Sequence, residues 1–496
     1  MQNQQQEMKS FIKIDKKTLL GVTFLLLAIV VFVGVLTQIV SPGAYDTTED
    51  GSIINGTYHE LTREEVGYSF WRIFISPIEM FINAPGDAMT GVIIILVITL
   101  IGGTFLILDK SGVLKYMMSV IVRKFAHKKY ALLAVMIFGC MLLSSFAGIL
   151  EESVTLVPLA VAISLSLGWD SFVGLGISLM SVTFGYSAAT FNPFNVGITQ
   201  SMAGLPMFSG VLFRILVFAV IYAVVAIFFI TYAKKIEKDP KKSLCYETDL
   251  ELRNSLFDKT EMQKIQANPN LPRASKAFVY ALVAVLCITV LCLITNILVK
   301  NQTVAGIIGY LPLASMAVLF TVGGIRAGKI SGLNGKQLRK IFGEGIRTIL
   351  PCAPIILSII AITYILKRGM IIDTILYNVY NLISSVNPYV AIVIIFFVIC
   401  VFEFFIGSGS AKAFLLMPIL LPLVNMMGIG EQNLIVAFCL SDGICNVLFP
   451  TNALLMVALG MINISFFKYI RCSWKLFLSI FTAAVAIIIF GTAIGY

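Results

Sequence analysis

SAATFNPFNVGITQ (187–200) interrupts an apolar run of membrane-crossing length, and FPTNALLM (449–456) interrupts another far downstream. A helix rising 1.5 Å per residue needs about 20 apolar residues to cross about 30 Å of hydrocarbon. Ser171 to Tyr186 and Val196 to Ala203 are each too short, but joined through SAATFNPFN they cross as one discontinuous helix. Pro193 has no amide hydrogen and breaks the helical ladder, freeing carbonyls at mid-membrane. Such groups must be buried in protein or line a watery cavity. Leu434 to Cys445 and Ala453 to Ile464 flank NVLFPTN in the same way.

Only 12% of the residues are charged and 58% are hydrophobic. A soluble chain carries roughly a quarter charged residues, so the sequence specifies an all-α polytopic membrane protein. The net charge of +10 comes from bases clustered between apolar runs. That is a positive-inside pattern rather than a nucleic-acid surface. Cysteines such as Cys140, Cys287, Cys292 and Cys400 lie in apolar runs without metal-like spacing, and no disulfides are expected. With His59 and His127 the only histidines, and no HExxH or GxSxG, the sequence does not read as an enzyme.

Lys9, Lys13, Lys16 and Lys17 place the N-terminus in the cytoplasm, ahead of a retained first span from about Leu19 to Val40. The acidic loop 42–72 is then external, and Asn55-Gly56 suggests a small hairpin within it. A span at 87–108 returns the chain to an interfacial amphipathic helix at about 112–124. Further spans are expected near 305–322, 349–366, 389–405 and 474–495.

Landmarks recur at a near-constant offset of 257 to 260 positions: Lys110-Ser111-Gly112 with Lys367-Arg368-Gly369, Tyr130 with Tyr389, Pro158 with Pro418, and Pro193/Asn195 with Pro450/Asn452. This reads as an internal repeat. Residues 1–232 form the first copy, with a hairpin at about 130–168 and a broken helix at about 171–203. A cytoplasmic linker, 233–276, and a connecting helix, 277–298, lead to the second copy, 305–496, with a hairpin at about 389–428 and a broken helix at about 431–464. The connecting helix makes the second copy start outside, so the copies have inverted topology and the C-terminus is external. Each arm of the first hairpin reads as too short to cross alone, which makes it re-entrant, and the hairpin at 389–428 is its counterpart. Inverted repeats with re-entrant hairpins and discontinuous helices are a secondary-transporter architecture.

Charges at membrane depth are functional by default. Glu151 and Glu152, beside Ser153, stand at the first hairpin tip; Ser408, Gly409, Ser410 and Lys412 stand at the second. The carboxylates suit an ammonium or guanidinium group and Lys412 a carboxylate, which together suit a basic amino acid. In the competing structural reading, Glu152 and Lys412 pair with each other or sit at wet tips. Asn192, Asn195, Thr451 and Asn452 are further substrate-binding candidates. Ser187, Thr190, Asp442 and Asn446 offer oxygens for Na⁺ or proton coupling, and Glu403 is a weaker candidate of that kind. Half-helix N-termini offer their positive dipole ends to a carboxylate.

ILEESVTLVPLAVAISLSLGWDSFVGLGISL, the SAATFNPFNVGITQSMAGLP block and FPTNALLMVAL resemble the YfcC-type members of the anaerobic C4-dicarboxylate carrier family, within the ion-transporter superfamily. The resemblance covers essentially the whole chain. It implies a homodimeric carrier of the bacterial inner membrane that moves a small-molecule substrate by an elevator-like mechanism, with no cofactor beyond Na⁺ as a possible coupling ion. Members are commonly described as arginine/ornithine-type antiporters, whereas the family name points to dicarboxylates. The Glu151-Glu152 pair favours a positively charged substrate; carboxylates, short peptides and an ion channel are the alternatives.

Overall fold

The computed structural model describes residues 16–46, 54, 56–151, 153–206, 208–250, 267–298, 302–383 and 386–496. Glu152 and Asn55 lie outside these. Most of the described backbone is helical. Among the described residues, five helices are long and apolar enough to cross a membrane, or six if the bent pair Ile95–Lys110 and Val113–Phe125 counts as one. Large apolar side chains face outward as well as inward, among them Phe24, Leu212, Ile227, Val401 and Leu478. That distribution suits a hydrocarbon solvent, since a water-soluble chain rarely leaves such broad apolar surface open.

One group of helices comprises α1 (Lys16–Ile39), α2 (Ser76–Asn83), α3 (Pro85–Lys110), and the long pair α10 (Leu271–Leu298) and α11 (Gln302–Ile330). The amphipathic α12 (Gly335–Ile349) and α13 (Ala353–Gly369) complete it. Within this group α10 lies along α11, α3 packs on α11 and α12, and α1 packs on α13. Gly345 meets Gly102 and Gly103 at the α12–α3 crossing, where two small faces let the helices touch backbone to backbone. Lys110 on α3 pairs with Glu344 on α12 at 2.7 Å.

The second group begins with α4 (Val113–Phe125), which turns 73° away from α3. Then come α5 (Lys129–Ala147), α6 (Ser153–Ser166) and α7 (Ser171–Ser187), the last containing a π turn at Gly176–Met180. A π turn at Pro193–Gly197 and α8 (Ile198–Met202) follow, and α9 (Val211–Lys238) runs back. In the C-terminal half, α14 (Ile372–Ile383) leads to α15 (Pro388–Phe405), α16 (Gly409–Met426), α17 (Glu431–Asn446), α18 (Ala453–Met461) and α19 (Phe466–Ala493). Here α5 packs on α7, α15 on α17, and α7 on α17.

Two details differ from the sequence reading. In the first hairpin α5 is longer than expected, at 19 residues, while in the second α15 and α16 run 18 residues each, α15 matching the span expected at 389–405. Only α6, with 14 residues, is short. The helix α5 continues through Ser144 and Ser145 because their hydroxyls bond to nearby carbonyls instead of unravelling the turn. In the loop, the strands β1 (Gly43–Ala44) and β2 (His59–Glu60) pair Gly43 with Glu60 and Ala44 with His59. Gly56 stands in a turn in the left-handed region, as a hairpin at Asn55-Gly56 would have it, while Asn55 lies outside the described residues.

The linker, secondly, is shortened from both ends. Helix α9 continues to Lys238 and α10 starts at Leu271, the former carrying Lys235 and Lys238 in its last turn, where the helix dipole favours cations. Between them the chain folds back on the first half. Asp249, fully buried, accepts from Ser171 N at 2.8 Å and pairs with the Ser171 hydroxyl, while Ser243 Oγ donates to Asp170 Oδ2 at 2.6 Å. Asp249→Ala is expected to strip the two bonds to Ser171 and loosen the strap. The readout is limited proteolysis of the purified protein, with cleavage between residues 239 and 270 accelerated several-fold over wild type.

Candidate functional site

Helix α7 stops at Ser187, and the chain crosses to Pro193 without regular structure. Its free backbone groups find partners on α5. Ser145 Oγ donates to Ala188 O at 2.8 Å, and the Thr190 and Phe191 amides donate to Ser145 O at 3.1 and 3.2 Å. Thr190 N also donates to Ser145 Oγ at 3.0 Å. The asparagines cap the two sides of the break. Asn192 Oδ1 accepts from Phe194 N at 2.9 Å, and Asn195 Nδ2 donates to Tyr186 O at 3.1 Å. Gly148 closes α5 in the left-handed region (φ 68°), and a Cβ there would lie 2.4 Å from Asn192 Oδ1, so glycine lets this tip sit on the break.

In the other half α17 ends at Asn446 and α18 begins at Ala453. Asn452 caps α18 through Leu455 N at 3.1 Å and donates to Asn446 Oδ1, while Asn446 Nδ2 reaches Asp442 O at 2.8 Å. Below this chain lies a buried ionic cluster. Lys412 on α16, with no exposed surface, pairs with Asp442 Oδ1 at 2.6 Å and with Glu403 Oε2 on α15. The Phe438 ring covers the ammonium from 5.7 Å. Asp442 Oδ2 is buried without a hydrogen-bond partner among the described residues. A Cβ at Gly409 would lie 2.6 Å from that oxygen, so the tip of α16 closes on it.

The two broken helices meet at their middles. A Cβ on Gly443 would stand 2.3 Å from Ser187 N and 2.4 Å from its Cα, so α17 and α7 cross in backbone contact. Gly443→Ala must push main chain against main chain, at roughly 1–3 kcal/mol for overpacking. A lowered thermal unfolding midpoint in detergent checks this. Tyr186 lies at the same level, against Asn192 and within electrostatic reach of both Glu151 and Asp442. Glu151, in the turn between α5 and α6, is exposed.

The sequence-predicted residues divide accordingly. Gly409, Lys412 and Asp442 come together, and so do Asn446 and Asn452. Ser408 is exposed and caps α16, Ser410 is half-buried beside it, and Thr451 is buried in the second break. Ser153 is buried and bonds Leu150 O; Ser187 bonds Phe184 O at 2.8 Å. The oxygens proposed as Na⁺ ligands are already engaged: the Ser187 hydroxyl with Phe184 O, the Thr190 hydroxyl with Ser145, and Asn446 Oδ1 with Asn452. No cluster of three or more His, Cys, Asp or Glu residues that could hold a metal ion occurs among the described residues.

Lys412 meets neither a free carboxylate-binding space nor, within the described residues, the first hairpin. It meets Glu403 and Asp442 because the turn after Phe405 folds α16 back alongside α15 and α17. Two residues escaped the sequence reading. Tyr186 sits one residue from a segment read for its polar atoms only. Arg214, in VLFRILVF, is a charge inside an apolar run and carried a signal that was overlooked. It is buried and held by Ser209 O at 2.7 Å, Phe208 O at 3.0 Å and Thr190 O at 3.2 Å, with Gln432 Oε1 at 3.3 Å.

The family model for the C4-dicarboxylate anaerobic carrier (DcuC) matches residues 20–493. A protein of Escherichia coli K12 named "Putative basic amino acid antiporter YfcC" is 24% identical over 504 residues, covering 95% of this chain and 96% of its own. An uncharacterized protein of Haemophilus influenzae is 27% identical over 418 residues, 84% of this chain and 77% of its own. Among solved structures, MtrF of Neisseria gonorrhoeae, described as one of a class of antimetabolite efflux pumps, aligns with a TM-score of 0.46 at 18% identity over 94% of both chains. The YdaH transporter of Alcanivorax borkumensis aligns at 0.47 and 16% identity over 96% of this chain and 99% of that one.

Proposed function

This chain belongs to the C4-dicarboxylate anaerobic carrier family, and from that premise we propose that it is a secondary transporter of amino acids, with basic ones of the arginine or ornithine type as its substrates. The observation that carries this reading is the charge balance of the site. Lys412 is already paired with two carboxylates, while Glu151 remains accessible. Arg214 is saturated by carbonyl and amide oxygens. A dicarboxylate needs uncommitted cations, and neither of these buried bases is one. A guanidinium or ammonium group instead finds Glu151, with Glu152 its neighbour in sequence. The E. coli relative's name points the same way, and the family's name points to the alternative, four-carbon dicarboxylates held at half-helix N-termini.

The architecture proposed with this function is a pair of inverted repeats, each with a re-entrant hairpin and an unwound helix. Its support is that the breaks after Ala147 and Phe405, and after Ser187 and Asn446, keep the spacing of the repeat landmarks. Membrane orientation draws on contacts. Lys129 meets Glu237 and Lys468 meets Thr248 on the linker's side, whereas Tyr496 meets Gly210 O at the far end of α9. With the linker cytoplasmic, the N-terminus is inside and the C-terminus outside the bacterial inner membrane. Transport by elevator-like sliding of the α5–α9/α15–α19 group, by exchange or cation coupling, in a homodimer, follows the family resemblance.

A thermal-shift screen of the purified protein tests the reading, because a ligand that binds only the folded state raises its stability. Arginine or ornithine should raise the midpoint and succinate should not. A shift with succinate or fumarate alone favours the dicarboxylate alternative.

A further inference from the structure

We propose that Glu403, Lys412 and Asp442 form a proton-binding site that couples transport to the proton gradient, an inference that deepens the transporter reading and rests on it. The three side chains are between 0% and 3% exposed and bring two carboxylates to one ammonium. Fully ionised, they leave one negative charge in excess inside the protein, which is costly without a partner. Asp442 Oδ2 is that unpartnered atom. A single proton removes the excess, and it belongs to the coupled pair of acids rather than to either alone.

Among the described residues no other cationic side chain bonds to the cluster. From α7, Tyr186 faces Asp442, and beyond it lies Glu151, itself an acid. On α17 the neighbours are the thiols of Cys439 and Cys445, with Cys400 on α15 beside the latter. Arg214 acts on Cys439 but gives its hydrogen bonds elsewhere. A sodium ion fits less well than a proton. The Lys412 ammonium already occupies the space between the carboxylates and repels a second full charge, and Asn446 Oδ1 and Asn452 Oδ1 are both engaged.

The approach of Gly409 to Asp442 Oδ2 gives the proton a controllable route. Gly407 and Ser408 are exposed at the tip, immediately before the glycine that covers this oxygen. A small withdrawal of the tip uncovers Oδ2; its return seals the proton in. Tip position and protonation are thereby linked, as coupling requires.

The test is infrared difference spectroscopy of the full-length protein in lipid, stepping from alkaline to acidic buffer in choline chloride. Wild type should show a protonated-carboxyl C=O band that both Asp442→Asn and Glu403→Gln abolish, since removing either acid leaves a balanced Lys–carboxylate pair. If one variant fails to fold, the other carries the same expectation. A band of wild-type size in either folded variant overturns the proposal, as does its loss from wild type when NaCl replaces choline chloride at fixed pH, which assigns the site to Na⁺. In proteoliposomes, a pH gradient should drive arginine accumulation by wild type, and both variants should lose that response while still exchanging internal for external arginine. If the band behaves as expected but wild type moves no arginine, the proton site stands and the substrate reading falls.

Discussion

Lys412→Met is expected to unfold much of the protein. The substitution keeps the apolar stem and deletes the ammonium that lies 2.6 Å from Asp442 Oδ1 and pairs with Glu403. Two buried carboxylates then face each other with no cation between them. Removing one member of a buried ion pair costs about 3–5 kcal/mol, a large part of the 5–15 kcal/mol that typically holds a domain together. The triple variant Glu403→Gln/Lys412→Met/Asp442→Asn is expected to recover most of the loss, because replacing an entire buried ionic group by neutral side chains of similar volume is often close to neutral. Thermal unfolding in detergent reads both. A Lys412→Met protein as stable as wild type means that the ammonium does not hold the cluster together.

Glu151→Gln is expected to impair function without impairing the fold. Glu151 is accessible, so neutralising it removes little packing. A carboxylate hydrogen-bonded to a substrate guanidinium contributes roughly 1.5–3 kcal/mol. The apparent affinity for arginine should therefore fall about tenfold to a hundredfold, with the unfolding midpoint unchanged. The sign separates the two substrate classes: an acid in the binding space repels a dicarboxylate, so the same substitution should improve binding of succinate if that is the true substrate.

The helical segments were legible because proline, asparagine and glycine interrupt apolar runs whose lengths are set by the bilayer. The chemistry inside the breaks was less so. Asn192, Asn195, Asn446 and Asn452 read from sequence as ligands, yet each also answers the demand of a helix end for donors and acceptors, which the structure shows them meeting. The partners of Lys412 were hidden because one lies across a tight turn and the other on a different helix. No helical period links positions 403, 412 and 442. Arg214 was legible in principle as a charge in an apolar run, and only the fold shows that its donors close the end of α9 on the first break. The strap through Ser243 and Asp249 was read as a plain linker, since its attachment depends on Asp170 and Ser171 far earlier in the chain.

Uptake into proteoliposomes tests the central claim most directly: that the accessible carboxylate of Glu151, in the turn between α5 and α6, takes a positively charged solute. Wild-type protein should take up labelled arginine saturably, with ornithine competing and succinate not, and Glu151→Gln should shift the half-saturating concentration upward about tenfold or more. Saturable succinate uptake, competed by fumarate, indifferent to arginine and enhanced by Glu151→Gln, would contradict it.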